Sequence, residues 1–467
     1  MAKRQRVATG VFQVESPAKM SMLPRLRPQN YFDLVVEVAI VRPGPIQGGM
    51  VHPYLRRRQG LEKVTYPSEA VKTVLKRTLG IPIFQEQVMQ LAMVAAGFTA
   101  EEADKLRRAM AAWKRRGGLG HLKDKLTEGM LANGYTPEFA ESIYKQIAGF
   151  GTYGFPESHA ASFALLVYSS AWLKRHHPAV FCCALLNSQP MGFYSLSQLT
   201  QDARRNGVTV LPVDVMLSTW ESHLIPVSEG SDTNLPMLRL GLRLVSGLTT
   251  DAGARIESAR AVRQFSTVRD LVNRAALDKG DASALANADA LRELVGNRIQ
   301  SIWATGNAGV PDLPLAPSDE SDADLPLNPL SLGQEVLADF ASTGLTLREH
   351  PVSLVRHQLK GTYKASDLIT VPSGRHIRVA GLVTCRQRPG TASGVTFVTL
   401  EDETGNTNVV VWRDLAEKER IPLLSSRLMI VHGKLEHQGA VTHLIAGHLE
   451  NVSHLIHSLA VASRNFH

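Results

Sequence analysis

Residues 84–116 read FQEQVMQLAMVAAGFTAEEADKLRRAMAAWKRR. Phe84, Val88, Leu91, Ala92 and Ala95 recur at helical spacing, which predicts a helix with one buried stripe. Gly97 supplies the residue that tolerates a left-handed helix end. Thr99 stands as the N-cap of a second helix, with Glu102 three residues later in the capping-box position. Ala103, Leu106, Met110 and Trp113 mark the buried stripe of that second helix. Another of its faces carries Arg107, Arg108, Ala111, Ala112, Lys114 and Arg115. Cations at both ends, with small side chains between them, let a polyanion approach closely and meet several positive charges at once. The same face also reads as a solvated surface whose C-terminal cations complement the helix dipole.

The chain around this pair has 467 residues and 44% hydrophobic content, enough for about three domains with real cores. Its net charge of +8 favours a polyanionic partner such as nucleic acid. Of the three cysteines, Cys182 and Cys183 are adjacent and no CxxC occurs, so a reduced, cytoplasmic setting without a structural zinc site is expected. MAKRQRVATG has no apolar core of a secretory signal. The most apolar segment, residues 160–173, is too short to span a bilayer, so no membrane partner is expected.

Upstream, Ser16-Pro17 opens a helix to about Leu26, and Leu34 to Val41 reads as a buried helix stopped by Arg42-Pro43-Gly44-Pro45. Arg56-Arg57-Arg58 falls in the next loop or helix. Downstream, residues 122–131 and 137–147 read as helices. The glycine- and aromatic-rich run 150–159 then leads into a long helix over 160–175. Glu157-Ser158-His159 lies at the start of that helix, where free amides favour an anion; equally, Ser158 reads as its N-cap.

From about residue 205 the pattern changes to a short strand at 207–212 and a polar hairpin over 224–240. Leu244-Val245-Ser246-Gly247-Leu248 before the helix 250–263 is a helix-hairpin-helix signal, whose backbone amides hold a nucleic-acid phosphate. A second, looser unit runs over 268–294. Residues 304–335 read as an acidic, proline- and glycine-rich linker, and Asp322 and Asp324 form its one D-x-D. The last part is β-rich. Ile377, Val379, Gly381, Val383 and Cys385 alternate, as do Val395, Phe397 and Thr399, with strands also at 409–412, 428–433 and 441–445. Five short strands with a helix after the third match an OB-fold barrel. Its few aromatics, chiefly Phe397 and Trp412, leave single-strand binding and protein docking both open.

Read in order, Gly10-Val-Phe-Gln-Val-Glu-Ser16, Arg42-Pro-Gly-Pro45, Gln85-Glu-Gln-Val-Met89, Ala103-Asp-Lys-Leu-Arg-Arg-Ala-Met110 and Tyr153-Gly-Phe-Pro-Glu-Ser-His159 resemble the bacterial C-family DNA polymerases, relatives of the polymerase III alpha subunit. VRPGPIQGGMVHPYLRRRQGLE is similar to their error-prone branch. The resemblance implies a multidomain α+β chain: a mainly α-helical fingers domain over 1–204, a tandem helix-hairpin-helix region over 205–300, a linker over 301–345 and an OB-fold over 346–467. It implies that Arg107 and Arg108 contact the triphosphate of an incoming nucleotide. Arg42, Lys114, Arg115 and His159 take a general nucleotide or DNA role. DNA, primed or single-stranded, and dNTPs are the implied partners. A sliding clamp, accessory damage-tolerance proteins or a separate palm-bearing chain are further ones.

One departure stands out. The family's catalytic aspartates hold Mg²⁺ in a palm domain before the GVFQ motif, whereas residues 1–32 contain no aspartate. The chain thus resembles the C-terminal portion of an error-prone polymerase, inactive alone, with no catalytic or metal-binding carboxylates of its own. The alternative is a non-catalytic DNA-binding or assembly module derived from such a polymerase.

Overall fold

The computed structural model describes residues 9–15, 17–42, 49–116, 121–150, 156–191, 194–227, 235–308, 327–389, 394–438, 441–456 and 464–466. Two compact units emerge, one built on residues 1–172 and the other on 173–388, 395–436 and 442–467.

The first unit is helical: α1 (Pro17–Leu26), α2 (Tyr31–Ile40), α3 (Val51–Arg58), α4 (Glu69–Leu75), α5 (Gln85–Ala96), α6 (Ala100–Arg116), α7 (His121–Ala132), α8 (Pro137–Phe150) and α9 (Glu157–His176), which runs on past residue 172. Asn30 and Asp33 cap α2 reciprocally, and seven residues of that helix are buried. The expected pair at 84–116 forms as α5 and α6. Gly97 ends α5 at φ 71°. The Thr99 N–H donates to Glu102 at 3.0 Å, and the Glu102 N–H to the Thr99 hydroxyl at 3.3 Å. Phe84, Val88, Leu91, Ala92, Ala95, Ala103, Leu106 and Met110 are all fully buried. Helix α7 crosses α5 so closely that a Cβ on Gly129 would lie 2.2 Å from the Ala96 carbonyl oxygen. Only glycine fits there.

The second unit starts with α10 (Pro178–Asn187) and α11 (Leu196–Arg205). The sequence reading grouped both with residues 1–204. Instead Ala179, Cys182, Leu186, Leu199 and Ala203 share one core with residues 208–291. A small sheet of β1 (Val210–Leu211), β2 (His223–Ile225) and β3 (Met237–Arg239) follows, β3 lying between a parallel β1 and an antiparallel β2. The loop expected at 229–234 lies outside the described residues. Next come α12 (Thr250–Val262), α13 (Val268–Arg274), α14 (Lys279–Asn287), α15 (Arg292–Val295) and α16 (Arg298–Ala308).

The linker expected over 301–345 is narrower in its described parts. Helix α16 extends to Ala308, and α17 (Leu332–Thr343) begins a folded segment that continues into α18 (Pro351–Val355). The reason is visible in the barrel. Val336 and Val352 pack with Ala380, Leu382, Leu428 and Ile430, covering an outer, apolar face of two barrel strands. The acidic run with Asp322 and Asp324 lies outside the described residues.

The barrel is β4 (His376–Gln387), β5 (Thr396–Glu401), β6 (Asn406–Val411), β7 (Leu428–Gln438) and β8 (Val441–Asn451), with helices α19 (Arg413–Lys418) and α20 (Arg420–Ser425) after the third strand. Pairings run β4–β5–β6–β8–β7 and back to β4, closing the five strands of an OB-fold. A short β9 (Arg464–Phe466) adds to β4 in parallel. Val379, Val383, Val398, Leu400, Val409, Val411, Val431 and Leu444 fill the interior. Because Val398 and Leu400 point in, Phe397 and Thr399 of the alternating set lie on the outer face.

Candidate functional site

The basic face of α6 starts from one helical turn of sequence, Asp104 to Arg108. Residues three and four apart on a helix are neighbours, so one carboxylate can reach two arginines. Arg107 Nη2 lies 2.9 Å from Asp104 Oδ1, and Arg108 Nη2 lies 2.5 Å from Asp104 Oδ2. The two guanidinium groups, first Arg107, hold the Asp104 carboxyl below its usual range. Both arginines stay open to solvent, their side chains 41% and 73% exposed. The site therefore presents two exposed guanidinium forks sharing one carboxylate, a net charge of +1, and a phosphate can take over hydrogen bonds now made to Asp104. Sequence reasoning named the arginines and missed Asp104, although its spacing before them was the signal. Lys114 and Arg115 belong to the same helix, and their side chains lie outside the described residues.

His159 sits in the first turn of α9 with its ring edge-on to Phe163, centroids 4.6 Å apart. Helix α9 begins at Glu157, so Ser158 is inside the helix and is not its N-cap. The anion expected at this helix start is supplied by the protein itself: the Glu157 N–H donates to Glu86 Oε2 at 3.0 Å. Arg77 pairs with Glu157 at 2.9 Å and stacks 3.9 Å over Phe32, which fixes the helix start against the preceding elements. Arg42 follows α2, donating from Nε to the Val38 carbonyl at 3.4 Å and from Nη2 to Gln13 Oε1. Thus the GVFQ and RPGP motifs meet through their polar side chains. Most of the turn 150–156 lies outside the described residues.

In the second unit the predicted hairpin glycine, Gly247, has φ 88° and precedes α12, whose Thr249 cap accepts from the Ala252 N–H at 3.2 Å. A second hairpin of the same kind follows Leu294-Val295, with Gly296 at φ 91° before α16. The sequence reading stopped its looser unit at Leu294, two residues short of this glycine. On the barrel, Tyr363, His376, Arg378, His432 and Lys434 line an open groove of about 630 Å³ floored by Gly433 and Gly447. Trp412 is 55% exposed at the start of α19. The groove was hidden in the sequence because its members come from separate parts of the chain.

Among the described residues no group of three or more His, Cys, Asp or Glu side chains is placed to hold a metal ion. Nor, among them, is any helix long and apolar enough to cross a membrane. The Mg²⁺ ions implied by the family resemblance thus find no fitting ligand set in the described residues.

Comparison with known proteins agrees with this layout. Residues 1–134 match the bacterial DNA polymerase III alpha subunit finger domain, 207–301 a helix-hairpin-helix motif and 377–452 an OB-fold nucleic acid binding domain. Over nearly all of its length the chain is homologous to curated bacterial error-prone DNA polymerases. The error-prone DNA polymerase of Alkalilimnicola ehrlichii is 58% identical over 98% of this chain, covering 44% of its own length. Those of Pseudomonas paraeruginosa and Methylococcus capsulatus are 57% and 54% identical over the same share, covering 45% of their lengths. The chain spans under half the length of the curated relatives it matches.

Proposed function

We propose that this chain forms the nucleotide-receiving and DNA-holding part of an error-prone DNA polymerase acting on cytoplasmic DNA. The carrying observation is the pair Arg107 and Arg108, aligned on one exposed helix face around Asp104. A dNTP triphosphate is the ligand whose charge and spread of oxygens matches two adjacent guanidinium forks. In this reading the arginines grip the β- and γ-phosphates, and Asp104 keeps them oriented until the nucleotide arrives. Lys114, Arg115, Arg42 and His159 supply further contacts to nucleotide or template. The hairpins at Gly247 and Gly296 hold duplex phosphates through backbone amides, and the barrel groove takes single-stranded template.

Phosphoryl transfer needs carboxylates that hold two metal ions, and the described residues offer none. In this reading Mg²⁺ and its ligands belong to polypeptide beyond the described residues or to a partner chain, and this chain by itself does not extend a primer. Two assays test the proposal. Labelled dATP should bind wild type and weaken at least about tenfold in Arg107→Ala with Arg108→Ala, as loss of charged hydrogen bonds requires. Primer extension with Mg²⁺ and dNTPs should give no product; product that vanishes in the double mutant would overturn the inactivity. The missing ligand set also favours a second reading, a DNA-binding or assembly module without nucleotide chemistry. That reading predicts salt-sensitive DNA binding and no dATP binding. Docking of a clamp or a damage-tolerance partner would be read by pull-down with each candidate.

A further inference from the structure

Helix α9 is apolar on two faces, and the first unit covers only one. Ala160, Ala164 and Val167 are buried, whereas Leu165, Leu166, Tyr168 and Trp172 are 57%, 52%, 55% and 45% exposed. A helix apolar all round is normally enclosed on all sides. Leu165, Tyr168 and Trp172 fall at i, i+3 and i+7, the spacing by which one helix packs against another. The stripe extends toward a neighbouring side chain. Tyr31, itself 45% exposed, donates its hydroxyl to the carbonyl of Ala161, one turn before Leu165 on the same side of the helix. Contiguous aromatic and aliphatic surface of this kind marks an interface.

We propose that this stripe docks a helix of the polypeptide that makes up the rest of the length of the error-prone polymerases. The occupant follows from the comparison. Relatives 58% identical over 98% of this chain hold more than half of their length outside the match, since the match covers 44% of them. The stripe lies on α9, the helix that also carries His159 of the candidate nucleotide site. A domain carrying the metal-binding carboxylates is what that site lacks. The inference rests on the polymerase reading of the chain, and it adds the surface through which the two parts join.

The test places the same substitutions in two settings. In the chain alone, Leu165→Asp with Tyr168→Asp should leave the melting temperature unchanged, because the stripe faces water. In a chimera where this chain replaces the matching region of the Alkalilimnicola ehrlichii enzyme, the pair should lower the melting temperature by several degrees and speed proteolytic separation of the two parts. Leu165→Ser with Tyr168→Ser should act in the same direction more weakly, and Met93→Asp, on another exposed surface, should be neutral. Equal neutrality in both settings overturns the proposal. So does equal destabilisation in both, which would mean the stripe packs within this chain. So does a dimer of the chain alone that the substitutions dissociate, which would make a second copy the occupant. Failure of the polymerase reading looks different: the unsubstituted chimera would fold and melt cooperatively yet extend no primer.

Discussion

Glu37 in the first unit and Asp339 in the second are both buried carboxylates, and their surroundings differ in kind. Asp339 accepts from Arg298 and Thr346, and both of its oxygens accept from Arg348 Nη1, at 2.7 and 2.6 Å. Arg348 also pairs with Asp289 at 2.7 Å, and Arg298 with Glu335 at 2.7 Å. This network locks α16 of the second hairpin to α17 beside the barrel. Glu37 is fully buried, and neither of its oxygens has a hydrogen-bond partner. The nearby Lys19 ammonium instead donates to the Val38 carbonyl at 3.2 Å. Burial pushes the Glu37 carboxyl up to about 8, with Lys19 pulling weakly the other way. One unit uses its buried charge as a crosslink; the other keeps a carboxyl that is cheapest when protonated.

The largest effect should come from cutting the crosslink. Arg298→Ala leaves Asp339 and Glu335 short of a buried partner and should cost about 3–5 kcal/mol in denaturant unfolding of the second unit. A smaller loss, within about 1 kcal/mol, would mean the network is already well hydrated. Next is pH. The folded carboxyl of Glu37 binds its proton more tightly than the unfolded one, so its contribution is full below the unfolded value of 4.5 and is lost as pH rises through about 8. Glu37→Gln should match wild type near pH 5 and exceed it in stability near pH 9, read by hydrogen exchange across α1–α3. His350 runs the opposite way. Burial lowers its pKa to about 4, and its Nδ1 accepts the Val352 N–H at 3.2 Å, which needs the neutral ring. Its contribution is full above 6.5 and is lost as pH falls toward 4. Glu37 should thus contribute a loss of stability with rising pH in the first unit, and His350 a loss with falling pH in the second.

Gly129→Ala comes third. Its methyl must push back the Ala96 carbonyl, and thermal melting should show a loss of roughly 1–3 kcal/mol in the first unit. The smallest effect concerns an exposed pair. Asp104→Asn should tighten dATP binding a few-fold at low salt, with the gain fading as salt screens the arginines. Weaker binding by this variant would show that Asp104 orients the forks more than it competes with the phosphate.

Much of the fold was legible because its signals are local. The stripe and caps of α5 and α6, the proline start of α1 and the alternation in β4 all arise within a few residues of one another. The exposed placement of Arg107 and Arg108 on one helix face was legible for the same reason. Other features were not. Ser158 looked like a cap until the helix was seen to begin one residue earlier, at Glu157. The segment 327–345 looked like linker by composition, and it is ordered because Val336 finds the outer face of the barrel. The groove on the barrel draws Tyr363, Arg378 and Lys434 from chain segments that alternation alone cannot superpose.

The sequence by itself determined which elements form, their order, and which helix face carries the arginines, since periodicity, capping and turn chemistry act over one or two turns. Tertiary structure alone decided which charges are already engaged. Arg298 meets Asp339 across 41 residues and Arg348 meets Asp289 across 59. Arg107 and Arg108 pair with the carboxylate one turn away and keep an open face. Coulomb energy depends on distance in space and on exclusion of water, neither of which sequence spacing specifies.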